Sequence, residues 1–330
     1  MYPYVLWFEE WCGSRGYSPH TTRLRADSVK QLIAWCAERG IERPQDVTRP
    51  LLERYRRHLY HYRKGNGAPL SFITQQTKLV SVRVFFKWLA RENHILANPA
   101  SELELPRATR RLPSAVLTPE QIEQVMAQTL SQPTHGVRDR AILETLYSTG
   151  VRRSELVRLK VYDVDFKGGS LFVREGKGHK DRYVPLGARA IHWIERYLHE
   201  VRPELVLEPD AGYLFLHEYG EPLHRSRLSD LVKRYLLAVG IEQTGSCHLF
   251  RHAMATQMLE NGADIRFIQA ILGHSQLSTT EIYTHVSIAK LKDIHARTHP
   301  AERATQGPMS APSAEARALL ASLAAEAETD

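Results

Sequence analysis

The stretch ELPRATRRLPSAV (104–116) holds two prolines and three arginines and has no periodic apolar face. Such a run continues neither a helix nor a strand, so the segments on its two sides must bury their apolar residues separately. It reads as a linker between a first domain at 1–103 and a second at 117–300. The acidic, Ala-rich tail at 301–330 is expected to be flexible, its possible helix at 312–328 having no obvious core partner. Both domains are long enough to close a hydrophobic core.

Charge is unequal across that division. Residues 1–113 carry a net +9, residues 114–300 a net +1 and residues 301–330 a net −3. A basic module suits a polyanion, because neutralised phosphates release condensed counterions. A merely solvated helix face would also be basic, so charge alone leaves both readings open. The cysteines, Cys12, Cys36 and Cys247, are odd in number and scattered, which argues for a reducing cytoplasm and against a disulfide framework. No apolar run approaches the ~20 residues of a bilayer span, so no membrane partner is expected. The opening MYPYVLWFEEWC lacks a basic start and contains Glu9 and Glu10. It reads as an amphipathic helix, not a signal peptide.

The first domain reads as helices. Thr21 or Thr22 is the expected cap of a run with Val29, Leu32, Ile33 and Trp35 at roughly helical spacing. A second run, near 50–62, opposes Leu51, Leu52, Tyr55 and Leu59 to Arg54, Arg56, Arg57 and His58. After the break KGNGAPL (64–70), a third at 71–91 has Leu79, Val82, Phe85, Phe86 and Leu89 as its apolar stripe. Lys78, Arg83, Lys87 and Arg91 lie off that stripe and are candidate phosphate contacts.

The second domain opens on LTPEQIEQVM, where Thr118, Pro119 and Gln121 spell a capping box. Helices are predicted at 118–130, 136–149, 153–159, 187–201, 225–239, 248–260 and 264–272. SLFVRE (170–175) and DRYVPL (181–186) read as strands of a hairpin with the basic tip GKGHK. The fold class is thus mainly α with a small antiparallel β-sheet.

Several polar groups stand out in this domain. Arg152 follows Gly150, with Glu155 three residues later on the same helix face. Lys177 and Lys180 lie in the hairpin tip. His248 and Arg251 are spaced i, i+3, and His274 precedes Tyr283 by nine residues. Two arginines offer bidentate forks for a phosphate, histidines and a lysine can move protons, and a tyrosine hydroxyl can be a covalent nucleophile. The sequence offers neither an acidic cluster suited to magnesium nor a cysteine pair for zinc, so fixed cations are expected to stabilise the developing charge. His252 reads as structural, and Tyr147, Tyr162 and Tyr183 read as core or strand residues.

In this order and context, Arg152, Lys177, the His248-x-x-Arg251 pair, His274 and Tyr283 resemble the tyrosine recombinase (phage integrase) family. TGVRRSEL, GKGHKDRYVPLG, HLFRHAMAT and LGHSQLSTTEIYTHV look closest to the XerC/XerD-like subgroup. The resemblance implies a SAM-like, core-binding domain that clamps DNA, joined to an α+β catalytic domain. It implies that Tyr283 attacks a phosphodiester to form a 3′-phosphotyrosyl link, Arg152 and Arg251 hold the non-bridging oxygens, and Lys177 protonates the 5′-hydroxyl. His248 assists at the nucleophile, His274 hydrogen-bonds the phosphate and Glu155 orients the site. No metal or ATP is implied. The implied partners are double-stranded DNA and a homo- or hetero-tetramer in which the helix after Tyr283, Ile288–Arg297, docks on a neighbour. A helix closing its own domain is the alternative. A type IB topoisomerase-like enzyme and a non-catalytic DNA-binding protein are the competing functions. Integration, excision and dimer resolution remain open as biological tasks.

Overall fold

The computed structural model describes residues 1–107, 116–132, 135–174, 181–242, 245–273, 288–302 and 318–323. The chain forms two compact units, Met1–Arg111 and Leu112–Asp330, and the division falls inside the proline- and arginine-rich stretch.

The first unit is helical: α1 (Tyr2–Ser14), α2 (Pro19–Ala37), α3 (Arg49–His61) and α4 (Phe72–Arg91). Phe8, Leu32, Leu52, Tyr55, Phe85 and Phe86 close its core. The cap of α2 differs from expectation. Ser18, not Thr21 or Thr22, is the N-cap, its hydroxyl accepting from the Thr21 N–H with Pro19 in the first turn. A Ser-Pro pair meets both demands of a helix start at once: an acceptor, then a residue that needs no donor partner.

The second unit begins with α5 (Pro119–Thr129), whose Thr118–Gln121 capping box is formed in full. Then come α6 (Gly136–Thr149), the short α7 (Arg153–Leu156) and a three-stranded antiparallel sheet in the order β1-β2-β3. Its strands are β1 (Val164–Asp165), β2 (Ser170–Val173) and β3 (Arg182–Pro185), with Val173 opposite Arg182. The remaining helices are α8 (Ala188–Glu200), α9 (Arg202–Leu205), α10 (Arg225–Ala238), α11 (Cys247–Glu260), α12 (Ile265–Leu272) and α13 (Ile288–Thr298). Helix α7 stops three residues short of the expected 159, and β2 stops two short of 175.

Two further expectations fail. Tyr162 is neither core nor strand: it sits 69% exposed in the turn 161–163 with the Arg174 guanidinium over its ring. The tail does have a core partner. Residues 318–323 are helical, and Leu319, Leu320 and Leu323 are buried in the core of the second unit. Their i, i+1, i+4 spacing is a short apolar stripe within an otherwise Ala-rich, acidic composition.

Candidate active site

The site grows from the end of α6. Gly150 terminates that helix in the left-handed region, at φ +59°. A Cβ there would come within 2.2 Å of Met254 Cε and 2.9 Å of Leu272 Cδ2. Both backbone conformation and space therefore demand glycine. Two residues on, Arg152 is the N-cap of α7, and its backbone N–H donates to Glu155 Oε2 at 2.9 Å.

Arg251 grips the same turn from α11. Its Nη1 donates to the Gly150 carbonyl at 2.5 Å and its Nη2 to the Leu272 carbonyl at 3.0 Å. Arg152, Arg251 and Glu155 are all buried. A guanidinium fixed by carbonyls is pre-organised, and it keeps its charge at any working pH.

Glu155 sits beneath these arginines. Arg152 Nη1 reaches its Oε1 at 3.1 Å, and Arg182 clamps both oxygens from β3 at 3.0 and 2.9 Å. Burial pushes the Glu155 carboxyl up, but the Arg182 hydrogen bonds and charge, the Arg152 charge and the Arg152 N–H outweigh it and hold the group at about 2. Arg182 Nε also donates to the Ile271 carbonyl at 3.0 Å. A Cβ on Gly273 would come within 2.9 Å of the Arg182 guanidinium. Arg182 thus ties the base of the hairpin to the Arg152 turn and to the end of α12.

Sequence reasoning passed over Arg182. The signal was present: Arg182 shares a strand face with Val184, which is fully buried. A charge on the inward face of a strand needs a partner. Replacing Arg182 with Gln should cost about 3–5 kcal/mol at pH 7, because a buried carboxylate loses its bidentate partner. The stability that Glu155 contributes, roughly 3 kcal/mol for a pKa lowered from 4.5 to about 2, has a defined window. It is present in full above the unfolded pKa and is lost as pH falls toward 2. Urea midpoints of both proteins between pH 7 and pH 3 check this, and an Arg182→Gln midpoint equal to wild type at pH 7 would refute the clamp.

His248 stands half-buried over Gly245, where a Cβ would meet its Nε2 at 2.6 Å. One turn on, His252 is buried, and burial with the neighbouring His248 pushes it down to about 4. Lys177, Lys180, His274 and Tyr283 lie outside the described residues. The structure therefore brings Arg152, Glu155 and Arg251 together and adds Arg182. Among the described residues, no group of three or more His, Cys, Asp or Glu side chains is placed to hold a metal ion.

In the first unit, Arg83, Lys87 and Arg91 form one exposed i, i+4, i+8 row on α4. Arg83 and Lys87 line a cavity of about 370 Å³ with Val80, Val84, Asn98, Ala100 and Ser101. Lys78 stands apart from that row, half-buried and hydrogen-bonded to Gln31 of α2.

Comparison with known proteins decides what this arrangement belongs to. The Phage integrase family model matches residues 115–290, and the model of its N-terminal SAM-like domain matches residues 5–93. Tyrosine recombinase XerC 2 of Ralstonia nicotianae is 54% identical over 87% of this chain and 82% of its own length. The chain belongs to the phage integrase family. It is a tyrosine recombinase, an enzyme of site-specific DNA recombination with the helical SAM-like and α+β catalytic domains of that family. The fold is shared with XerH recombinase, solved bound to palindromic difH substrate (22% identity, TM-score 0.64, 88% of this chain and 84% of that one). It is also shared with a lambda integrase tetramer bound to a Holliday junction (18% identity, TM-score 0.63, 90% of this chain and 78% of that one). Among the described residues, no helix of the recombinase is long and apolar enough to cross a membrane.

Proposed function

We propose that the enzyme breaks and rejoins double-stranded DNA through a covalent bond between Tyr283 and the 3′-phosphate of the cleaved strand. The observation that supports this most is the pair of buried arginines, Arg152 held by the Glu155 carboxylate and Arg251 by the Gly150 and Leu272 carbonyls. Oriented cations of this kind stabilise charge that develops on the non-bridging oxygens, without reorganising as it forms.

In the proposed cycle the Tyr283 oxygen attacks phosphorus, its proton leaving with help from His248. The bond to the 5′ oxygen breaks, and Lys177 supplies the proton that makes it a hydroxyl. His274 hydrogen-bonds the phosphate, and Glu155, neutralised by Arg182 and Arg152, keeps the arginine turn in place. The 5′-hydroxyl of a second duplex then attacks the phosphotyrosine. One phosphodiester is exchanged for another, so neither ATP nor a metal is required.

Exchange between two duplexes calls for four such subunits, with α13 or its counterpart passing between neighbours. In the single chain α13 lies on its own domain: Lys292 donates to the Gly168 carbonyl and Asn261 donates to the Thr298 carbonyl at 2.8 Å. Lys78, Arg83, Lys87, Arg91 and Lys180 are proposed to contact the phosphate backbone, and the working compartment is the cytoplasm, on nucleoid DNA.

The test is covalent trapping. A nicked duplex, selected from a random-sequence pool by its capture, loses the short leaving strand and cannot religate. The protein should form a denaturant-resistant adduct on it in excess EDTA, at the rate seen with magnesium. An adduct that needs added metal would show that the cations in the chain are not sufficient.

A further inference from the structure

Two buried imidazoles are unused by that cycle. His295 lies on α13 and His299 directly follows it. They stack with centroids 4.5 Å apart at 19°. His295 Nε2 lies 2.7 Å from the Ser148 carbonyl, and His299 Nε2 lies 2.9 Å from the Tyr147 carbonyl. A carbonyl only accepts, so each Nε2 carries the hydrogen. His299 Nδ1 accepts from the Ala301 N–H at 3.2 Å, which requires this ring to be neutral, since a second N–H would face a donor.

The accepting carbonyls belong to the last turn of α6. A helix ends with carbonyls that have no partner within it. Here Leu146 takes the Gly150 N–H, Tyr147 and Ser148 take the two imidazoles, and Gly150 takes Arg251. Arg152 comes next. The backbone that delivers the arginine is therefore held, almost residue by residue, by groups from the C-terminal part of the chain. Burial pushes His295 down to about 4 and His299 well below its ordinary range, so both are neutral donors at neutral pH.

We propose that His295 and His299 are positioning residues: a latch through which the seating of α13 sets the placement of Arg152. The proposal rests on the reading of Arg152 and Tyr283 given above. Helix α13 starts five residues after Tyr283 in the sequence. The latch thus makes one event of two requirements, since the α13 seated at this turn, the chain's own or one passed from a neighbour, follows a nucleophile and also fixes the turn carrying the phosphate-binding arginine. An unseated α13 leaves two helix-end carbonyls open and the arginine turn loose.

Full-length His295→Phe/His299→Phe keeps an aromatic ring at each position but loses both donors. His295→Gln/His299→Gln keeps an N–H near each Nε2. On the nicked duplex captured by wild type, the Phe pair should bind within about threefold of wild type but form adduct about 10–100 times more slowly, as expected of a misplaced catalytic group. The Gln pair should restore most of the rate. Hydrogen exchange without DNA should show amides 150–156 losing protection in the Phe pair and keeping it in the Gln pair. An unchanged adduct rate in the Phe pair, a Gln pair as slow as the Phe pair, or protection lost evenly across α5, α8 and α10 would each overturn the latch. A wild-type chain that forms no adduct on any duplex would defeat the tyrosine reading instead, and the exchange comparison would still decide the latch.

Discussion

Tyr283→Phe binds DNA as wild type does and never becomes covalently attached to it. The substitution removes one oxygen and keeps the ring, so packing and affinity should persist while the nucleophile is gone. A free tyrosine hydroxyl titrates near 10, so this oxygen reacts at neutral pH only where its surroundings take the proton and stabilise the charge it creates. Gel separation of denaturant-resistant adducts gives the answer directly. Any adduct from the Phe variant assigns the chemistry to another residue, with Tyr147 the poorest candidate, since it is buried and its hydroxyl donates to Gln257 at 2.6 Å.

The second large effect concerns Lys177. An alkoxide is a poor leaving group, and general acid help is worth ~10²–10⁴-fold. Lys177→Ala should therefore cleave ordinary DNA slower by a factor in that range while binding it nearly normally. Sulfur in place of the bridging 5′ oxygen gives a leaving group that needs no proton, so on that substrate the defect should largely vanish. Arg152→Ala, by contrast, should lose roughly 10²–10³-fold on both substrates, because the role proposed for its charge is on the non-bridging oxygens. Equal Lys177→Ala defects on the two substrates would make the lysine a positioning group. Selective rescue of Lys180→Ala would name the neighbouring lysine of GKGHK as the acid.

How far the molecule could be read in advance depended on where each signal lived. Thr118 and Gln121 declare a helix start within four residues, and the structure forms that capping box. Gly150 likewise marks the end of α6, because a left-handed residue without room for a Cβ has one solution. The arginines Arg152 and Arg251 stand out by local spacing, and the resemblance to a known family is what singles them out as catalytic candidates. What holds them could not. Arg182 matters because β3 lies beside α7 and the end of α12, and His295 and His299 matter because α13 lies across the end of α6. No window of sequence contains both members of those pairs. The tail misled for a different reason: its composition is acidic and Ala-rich, which reads as solvated, while three leucines at helical spacing were enough to anchor it. Ser18 caps α2 in place of Thr21 or Thr22 because Pro19 directly after it suits the first helical position.

The leucines at 319, 320 and 323 also say something about the order in which this protein comes into being. The first unit has a core of its own, made by residues no later than Leu105. The second keeps part of its core for residue 323, more than two hundred positions later. At about 5–20 residues per second, roughly 10–40 s of synthesis separate the two events. During that interval the core residues of the first unit are all made, while those of the second, with His295 and His299, are still being added. Synthesis thus completes the segment of the basic unit before the last leucines of the unit that carries Arg152 and Arg251 have been added.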